Sequence, residues 1–77
     1  MREEQRLIQT KIERLTPRER EVLRHVIAGR LNKQTAWELG IVEKTVKVHR
    51  SRMMRKLGVR RVAELVRLTA QLHPPAM

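Results

Sequence analysis

A chain of 77 residues with a formal net charge of +10 has room for one domain and an appendage, because domains of this size bury only roughly 60% of the surface their unfolded chain exposes. A field of that sign draws in nucleic acid or an anionic surface before any specific contact forms. The chain has no Cys, no Asp and a single Ser, Ser51, which excludes a disulfide framework, a thiolate metal site, an aspartyl phosphoacceptor and a Ser/His/Asp triad within it.

Apolar residues make up 40% of the chain and Trp37 is its sole aromatic, so the core must be built from Leu, Ile, Val and Met. No apolar run approaches the ~20 residues of a membrane span, and Met1 to Arg14 lacks the apolar stretch of a secretory signal. No membrane partner is expected, and the expected compartment is the cytoplasm.

Leu7, Ile8, Ile12 and Leu15 recur at helical spacing through a segment otherwise filled with Arg, Glu, Gln and Lys, which predicts an amphipathic helix over residues 2–14. Two heptads are too few for a coiled coil, and the segment reads as a linker helix docked on its own domain or frayed, with a dimerising seam as the lesser alternative. Thr16-Pro17-Arg18-Glu19 supplies an N-cap, a proline at the first helical position and a glutamate at N3, the pattern of a capping box. The helix that starts there carries the stripe Val22, Leu23, Val26 and Ile27 and ends at Gly29, after which Leu31 is expected to pack inward.

Asn32 is the expected N-cap of a short helix whose inward residues are Thr35, Ala36 and Leu39, with Gly40 as its stop and Ile41 turned back into the core. From Glu43, the residues Thr45, Val46, His49, Met53 and Leu57 trace the inner face of a longer helix that Gly58 terminates. Its other face is Lys44, Lys47, Val48, Ser51, Arg52 and Arg55. Val59 is expected to be buried, and Val62, Leu65, Val66 and Thr69 mark the inner stripe of a last helix running to about Leu72, where His73-Pro74-Pro75 stops it. The β-branched residues fall at spacings of three and four, so no strand is predicted. The fold class is all-α: a four-helix domain over 15–72 containing a helix-turn-helix, preceded by the linker helix 1–14 and followed by a tail, 73–77.

The spacing from Ala36 through Gly40 to Val46 carries the functional argument. A small side chain at Ala36 lets the next helix cross closely, Gly40 permits a positive φ, and Ile41 with Val46 locks the steep crossing of a helix-turn-helix. The second helix of such a pair stands off the domain surface with its outer face free to enter a major groove. Between Glu43 and Glu64 the chain has eight Lys or Arg and no acid, so the charge run coincides with the helix that the corner exposes. A charge run alone is usually a solvated face; this coincidence reverses the weighting. Lys56 and Arg60, near the end of the run, read as ordinary solubilising charges.

The blocks Leu15-Thr16-Pro17-Arg18-Glu19-Arg20-Glu21-Val22-Leu23, Asn32-Lys33-Gln34-Thr35-Ala36 with Leu39-Gly40-Ile41, Lys44-Thr45-Val46-Lys47-Val48-His49 and Arg55-Lys56-Leu57-Gly58-Val59 resemble the LuxR/FixJ-type DNA-binding domain. The resemblance covers residues 15 to about 70. It implies a domain that binds double-stranded DNA as the C-terminal output module of a transcriptional regulator, in one branch a two-component response regulator. It further implies that Lys47, Val48 and Ser51 face bases and that Thr45, Arg50 and Arg52 lie near phosphates. Asn32 and Lys33 match the family's Asn-Lys pair at a helix start, suited to phosphate contacts, and Lys44 and Arg55 join the expected phosphate set. The chemistry is apt: Lys47 can donate to guanine O6 or N7, Val48 offers an apolar surface to a thymine methyl, and Ser51 donates or accepts.

Departures from the family pattern are Thr35 in place of Ile, Val42 in place of a capping Ser, and Arg61 in place of a capping Ser or Asn. In relatives the last helix supplies a two-fold contact on DNA, which nominates Ala63, Val66, Arg67 and Ala70 for a homodimer; RNA polymerase is a further expected partner. His25, His49 and His73 are too far apart for a local metal motif, so no metal, cofactor or catalytic residue is expected; His49 is expected to hydrogen-bond inside the domain. Trp37 lies off the inner stripe and either covers the core edge or faces DNA or a partner. The rival readings are a sigma-factor region-4-like promoter-binding module, which shares the Leu-Thr-Pro-Arg-Glu-Arg opening, and a protein-interaction module using the last helix. RNA is disfavoured because Trp37 is the only ring for base stacking, and an anionic membrane because the basic helix lacks a broad apolar face.

Overall fold

A computed structural model describes residues 2–70, which form five helices and, among those residues, no strand. They are α1 (Glu3–Glu13), α2 (Pro17–Ile27), α3 (Asn32–Leu39), α4 (Glu43–Leu57) and α5 (Val62–Ala70). The expected end of the last helix near Leu72, its stop at His73-Pro74-Pro75 and the tail 73–77 lie outside the described residues.

The helix ends follow local chemistry. At the start of α2 the Thr16 hydroxyl accepts from the Glu19 N–H at 3.1 Å while the Glu19 carboxylate accepts from the Thr16 N–H at 3.0 Å, so two donors without helical partners are satisfied reciprocally. At the end of α3 the chain passes through the left-handed region at Gly40, φ 68° and ψ 31°, a conformation that costs a side chain bearing Cβ roughly 1 kcal/mol or more. This lets the Ile41 N–H return to the Ala36 carbonyl at 3.0 Å and the Gly40 N–H to the Trp37 carbonyl at 3.3 Å.

α4 is the central element: it packs against α2 and α3, while α1 lies against α4 and α5, and α5 also meets α2. Val22, Leu23 and Val26 from α2, Val46, Met53 and Leu57 from α4 and Leu65 from α5 form the buried nucleus. Ile8 of α1 belongs to that nucleus and Ile12 packs against it, so α1 covers apolar surface that α4 and α5 would otherwise expose.

Four details differ from the sequence expectation. Leu31 does not pack inward: it is 67% exposed and serves as the N-cap of α3, with the Gln34 side-chain oxygen taking its N–H at 2.9 Å. Asn32 is consequently the first helical residue rather than the cap. Val66 is exposed instead of lining the inner stripe, which Leu65, Thr69 and the half-buried Leu68 form without it. His49 is half-buried with its Nδ1 enclosed and, among the described residues, without a hydrogen-bond partner. Thr35 shows how a polar residue occupies an apolar position: it is 2% exposed and its hydroxyl donates to the Leu31 carbonyl one turn back, at 3.1 Å.

Candidate nucleic-acid interface

The corner at Gly40 sets α4 across α3 with Ala36 buried beneath the crossing. With Val46, Met53 and Leu57 turned inward, the 3.6-residue period leaves Lys44, Lys47, Val48, Ser51, Arg52 and Arg55 on the solvent side, all exposed. Thr45, also expected near phosphates, is half-buried at the helix start.

Lys47 and Ser51, one turn apart, stand on a ridge between two open troughs. Asn32, Arg50, Met54, Arg60 and Val62 line the first together with Lys47 and Ser51. Lys44, Val48, Arg52 and Arg55 line the second on the other side of the same pair. Each trough thus carries cations, and the ridge carries a donor-rich pair. Lys44, Arg52 and Arg55 form no ion pair with another described residue, while Lys47 lies 3.8 Å from the Glu43 carboxylate in the first turn of α4. Their charge is therefore directed outward rather than spent within the fold.

Two residues expected on phosphates meet each other: Arg50, half-buried, donates from Nη1 to the Asn32 side-chain oxygen at 3.0 Å, tying the first turn of α3 to the middle of α4. Lys33 is exposed on the following residue of α3.

Lys56 is no ordinary solubilising charge. Its ammonium donates to the Glu19 carboxylate at 2.8 Å, and that carboxylate is 2% exposed. Burial pushes the Glu19 pKa up, but the hydrogen bond from Lys56, those from Thr16 and the Lys56 charge together hold it below the usual carboxylate value. The link spans 37 residues of sequence, beyond the reach of any local pattern. Arg60, read from the basic run as an ordinary solubilising charge, lines the first trough.

Trp37 is 84% exposed, so it does not cover the core edge; Arg30, Lys33, Gln34 and Glu43 share an open hollow with it. On α5, Ala63, Val66, Arg67 and Ala70 are all exposed, and the Arg67 guanidinium lies 3.5 Å from the Glu4 carboxylate of α1. Among the described residues no three His, Cys, Asp or Glu are grouped to hold a metal ion. No described helix is long and apolar enough to cross a membrane.

The family described as bacterial regulatory proteins, luxR family, matches residues 13–69. The response regulator protein TodT of Pseudomonas putida is 55% identical over 60 residues, covering 78% of this chain and 26% of TodT. Nodulation protein W of Bradyrhizobium diazoefficiens is 45% identical over 60 residues, 78% of this chain and 26% of that protein. The transcriptional regulatory protein FixJ of Rhizobium meliloti is 41% identical over 61 residues, 79% of this chain and 30% of FixJ. A solved structure of the response regulator StyR superposes with a TM-score of 0.79 at 50% identity, over 83% of this chain and 32% of that one. The chain therefore spans about a quarter to a third of the length of the relatives it matches.

Proposed function

Because the chain belongs to the luxR family of bacterial regulatory proteins, we propose that it reads a specific duplex sequence by laying α4 in the major groove, with Lys47, Val48 and Ser51 at the base edges. The chain is a LuxR-type DNA-binding domain homologous to the output domains of response regulators. The observation that carries the finer reading is the ridge between two cationic troughs: a helix entering the major groove has a phosphate backbone on either flank and base edges at its crest.

Lys44, Thr45, Arg52 and Arg55 attend one strand, and Lys33, Asn32 and Arg50 occupy the opposite edge. The domain performs no catalysis; it works in the cytoplasm as the output module of a two-component regulator and presents a surface to RNA polymerase. Two copies sit on half-sites about 10 base pairs apart, meeting through Ala63, Val66, Arg67 and Ala70 of α5.

The test begins with a target duplex selected from a random pool. The double substitution Lys47→Ala with Ser51→Ala weakens binding to that duplex by about 1–3 kcal/mol per lost base contact while random duplex binding changes little and the far-UV spectrum stays helical. If roughly five phosphates are neutralised, log K falls with log salt at a slope of about −4 to −5. An equal loss on target and random duplex would remove the base-reading roles and leave phosphate attraction alone.

A further inference from the structure

The first trough is built from three separate parts of the chain: the first turn of α3, the middle of α4 and the turn between α4 and α5. Its apolar lining is Met54 and Val62, and its cations are Arg50 and Arg60, with Lys47 on the ridge. Of the two arginines, Arg50 is the one whose side chain has a hydrogen-bond partner among the described residues. Its Nη1 donates to the Asn32 oxygen at 3.0 Å, and the guanidinium has five N–H donors in a fixed planar fork, so four remain for another acceptor.

Asn32 has reason to act as a holder rather than a contact. It is the first residue of a helix whose N-cap, Leu31, has no side-chain oxygen, and its own oxygen is engaged by Arg50. Arg60, by contrast, is exposed and has no ion pair with a described residue. Its backbone N–H points toward the Glu64 carboxylate at 3.4 Å, which ties its backbone to the start of α5 and leaves the guanidinium free.

We infer that this trough is a seat for one backbone phosphate of the bound duplex, with Arg50 and Arg60 as its two cationic walls and Asn32 as the positioning residue that presets the Arg50 fork. The inference rests on the DNA-binding reading above and assigns within it two roles not contained there: a phosphate contact at Arg60, and a supporting rather than direct role for Asn32. Two guanidinium groups converging on one tetrahedral anion provide charge-assisted hydrogen bonds from separate directions, which fixes the lateral position of α4 in the groove as well as adding attraction. A fork held in place loses less freedom on binding than a free side chain, so the Asn32 bond should contribute affinity without contributing charge.

The experiment is a double-substitution cycle on the 77-residue chain, read by fluorescence anisotropy with the selected target duplex across a salt series. Arg60→Ala and Arg50→Ala should each reduce the magnitude of the log–log salt slope by about 0.9, the value for one phosphate. Asn32→Ala should leave the slope unchanged and weaken binding about fivefold, the equivalent of one ordinary hydrogen bond; in the Arg50→Ala background it should have no effect. Arg50→Lys, which keeps the charge but not the fork, should keep the slope and lose affinity. Thermal melting of each variant separates loss of binding from loss of folding, and Arg60→Ala, at an exposed position, keeps the test informative should Arg50→Ala destabilise the corner.

A wild-type slope and affinity unchanged by Arg60→Ala would overturn the phosphate seat. Additive effects of Asn32→Ala and Arg50→Ala would overturn the positioning role, because they would place Asn32 on the DNA independently. Failure of the wild-type chain to prefer any duplex would instead refute the DNA-reading proposal on which this one stands, and the two failures are thereby distinct.

Discussion

Substituting Lys56→Met removes the ammonium from the Glu19 carboxylate and keeps a side chain of similar length. Glu19 is 2% exposed and its hydrogen bond to Lys56 is 2.8 Å, whereas the Lys56 side chain is 42% exposed. Removing one partner of a fully buried pair costs about 3–5 kcal/mol, but here the Lys56 side chain is partly exposed and the attraction is screened. A hydrogen bond to a charged group contributes about 1.5–3 kcal/mol, and the lower part of that range, about 1.5–2 kcal/mol, fits a pair at the edge of the core. For a domain of this size that lowers the melting temperature by about 6–16 °C.

The pH dependence is the sharper readout. In the wild type the folded pKa of Glu19 lies below its ordinary value, so its contribution is fully present above the unfolded pKa of about 4.3 and is lost as pH falls through the folded pKa. In Lys56→Met the lowering by Lys56 is lost while that by Thr16 remains, so protonation of Glu19 in acid costs the variant less than it costs the wild type. Urea denaturation, followed by far-UV ellipticity at about pH 7 and about pH 3.5, should show the stability gap narrowing in acid. A gap below about 0.5 kcal/mol at neutral pH, the ordinary range for a surface substitution, or one that does not narrow, would refute the reasoning.

Two further substitutions probe the scaffold. Val42→Ser gives α4 the side-chain cap it lacks at a residue 66% exposed, and should stabilise the domain by about 1 kcal/mol in the same urea assay; a loss of stability would contradict the cap assignment. Met53→Ala deletes a fully buried side chain at the centre of α4 and should cost about 2–5 kcal/mol, and a cost under about 1 kcal/mol would show that the nucleus is not packed around Met53.

The corner was legible in the sequence because its determinants are local. The Thr16–Glu19 reciprocal cap uses residues three apart, and Gly40 and Gly58 sit where an L side chain would be strained, so residue type alone marks the helix ends. Helical periodicity then gave the outer face of α4 residue by residue. What escaped was whatever depends on residues far apart in sequence. Glu19 was recognised as a capping residue, but its bond to Lys56 follows only once α4 crosses α2; Asn32 and Arg50 carry the chemistry of phosphate ligands, and only the crossing of α3 and α4 makes them partners. Leu31 reads as inward from the sequence, although a residue at a helix cap points where the turn directs it. His49 reverses the usual expectation in that its buried Nδ1 finds no partner among the described residues.

With no Tyr or Phe in the chain, the lone indole on the solvent side of α3 divides the molecule's optical signals between two places. Its emission responds to water and neighbours at the helix-turn-helix corner, while melting of an aliphatic nucleus that holds no ring registers only in the amide ellipticity. Titrations that load the corner can therefore be followed in emission with little interference from the core. By the same arrangement, an emission curve that departs from the ellipticity curve reports opening of the corner apart from melting of the core, and coincident curves report that the two unfold together.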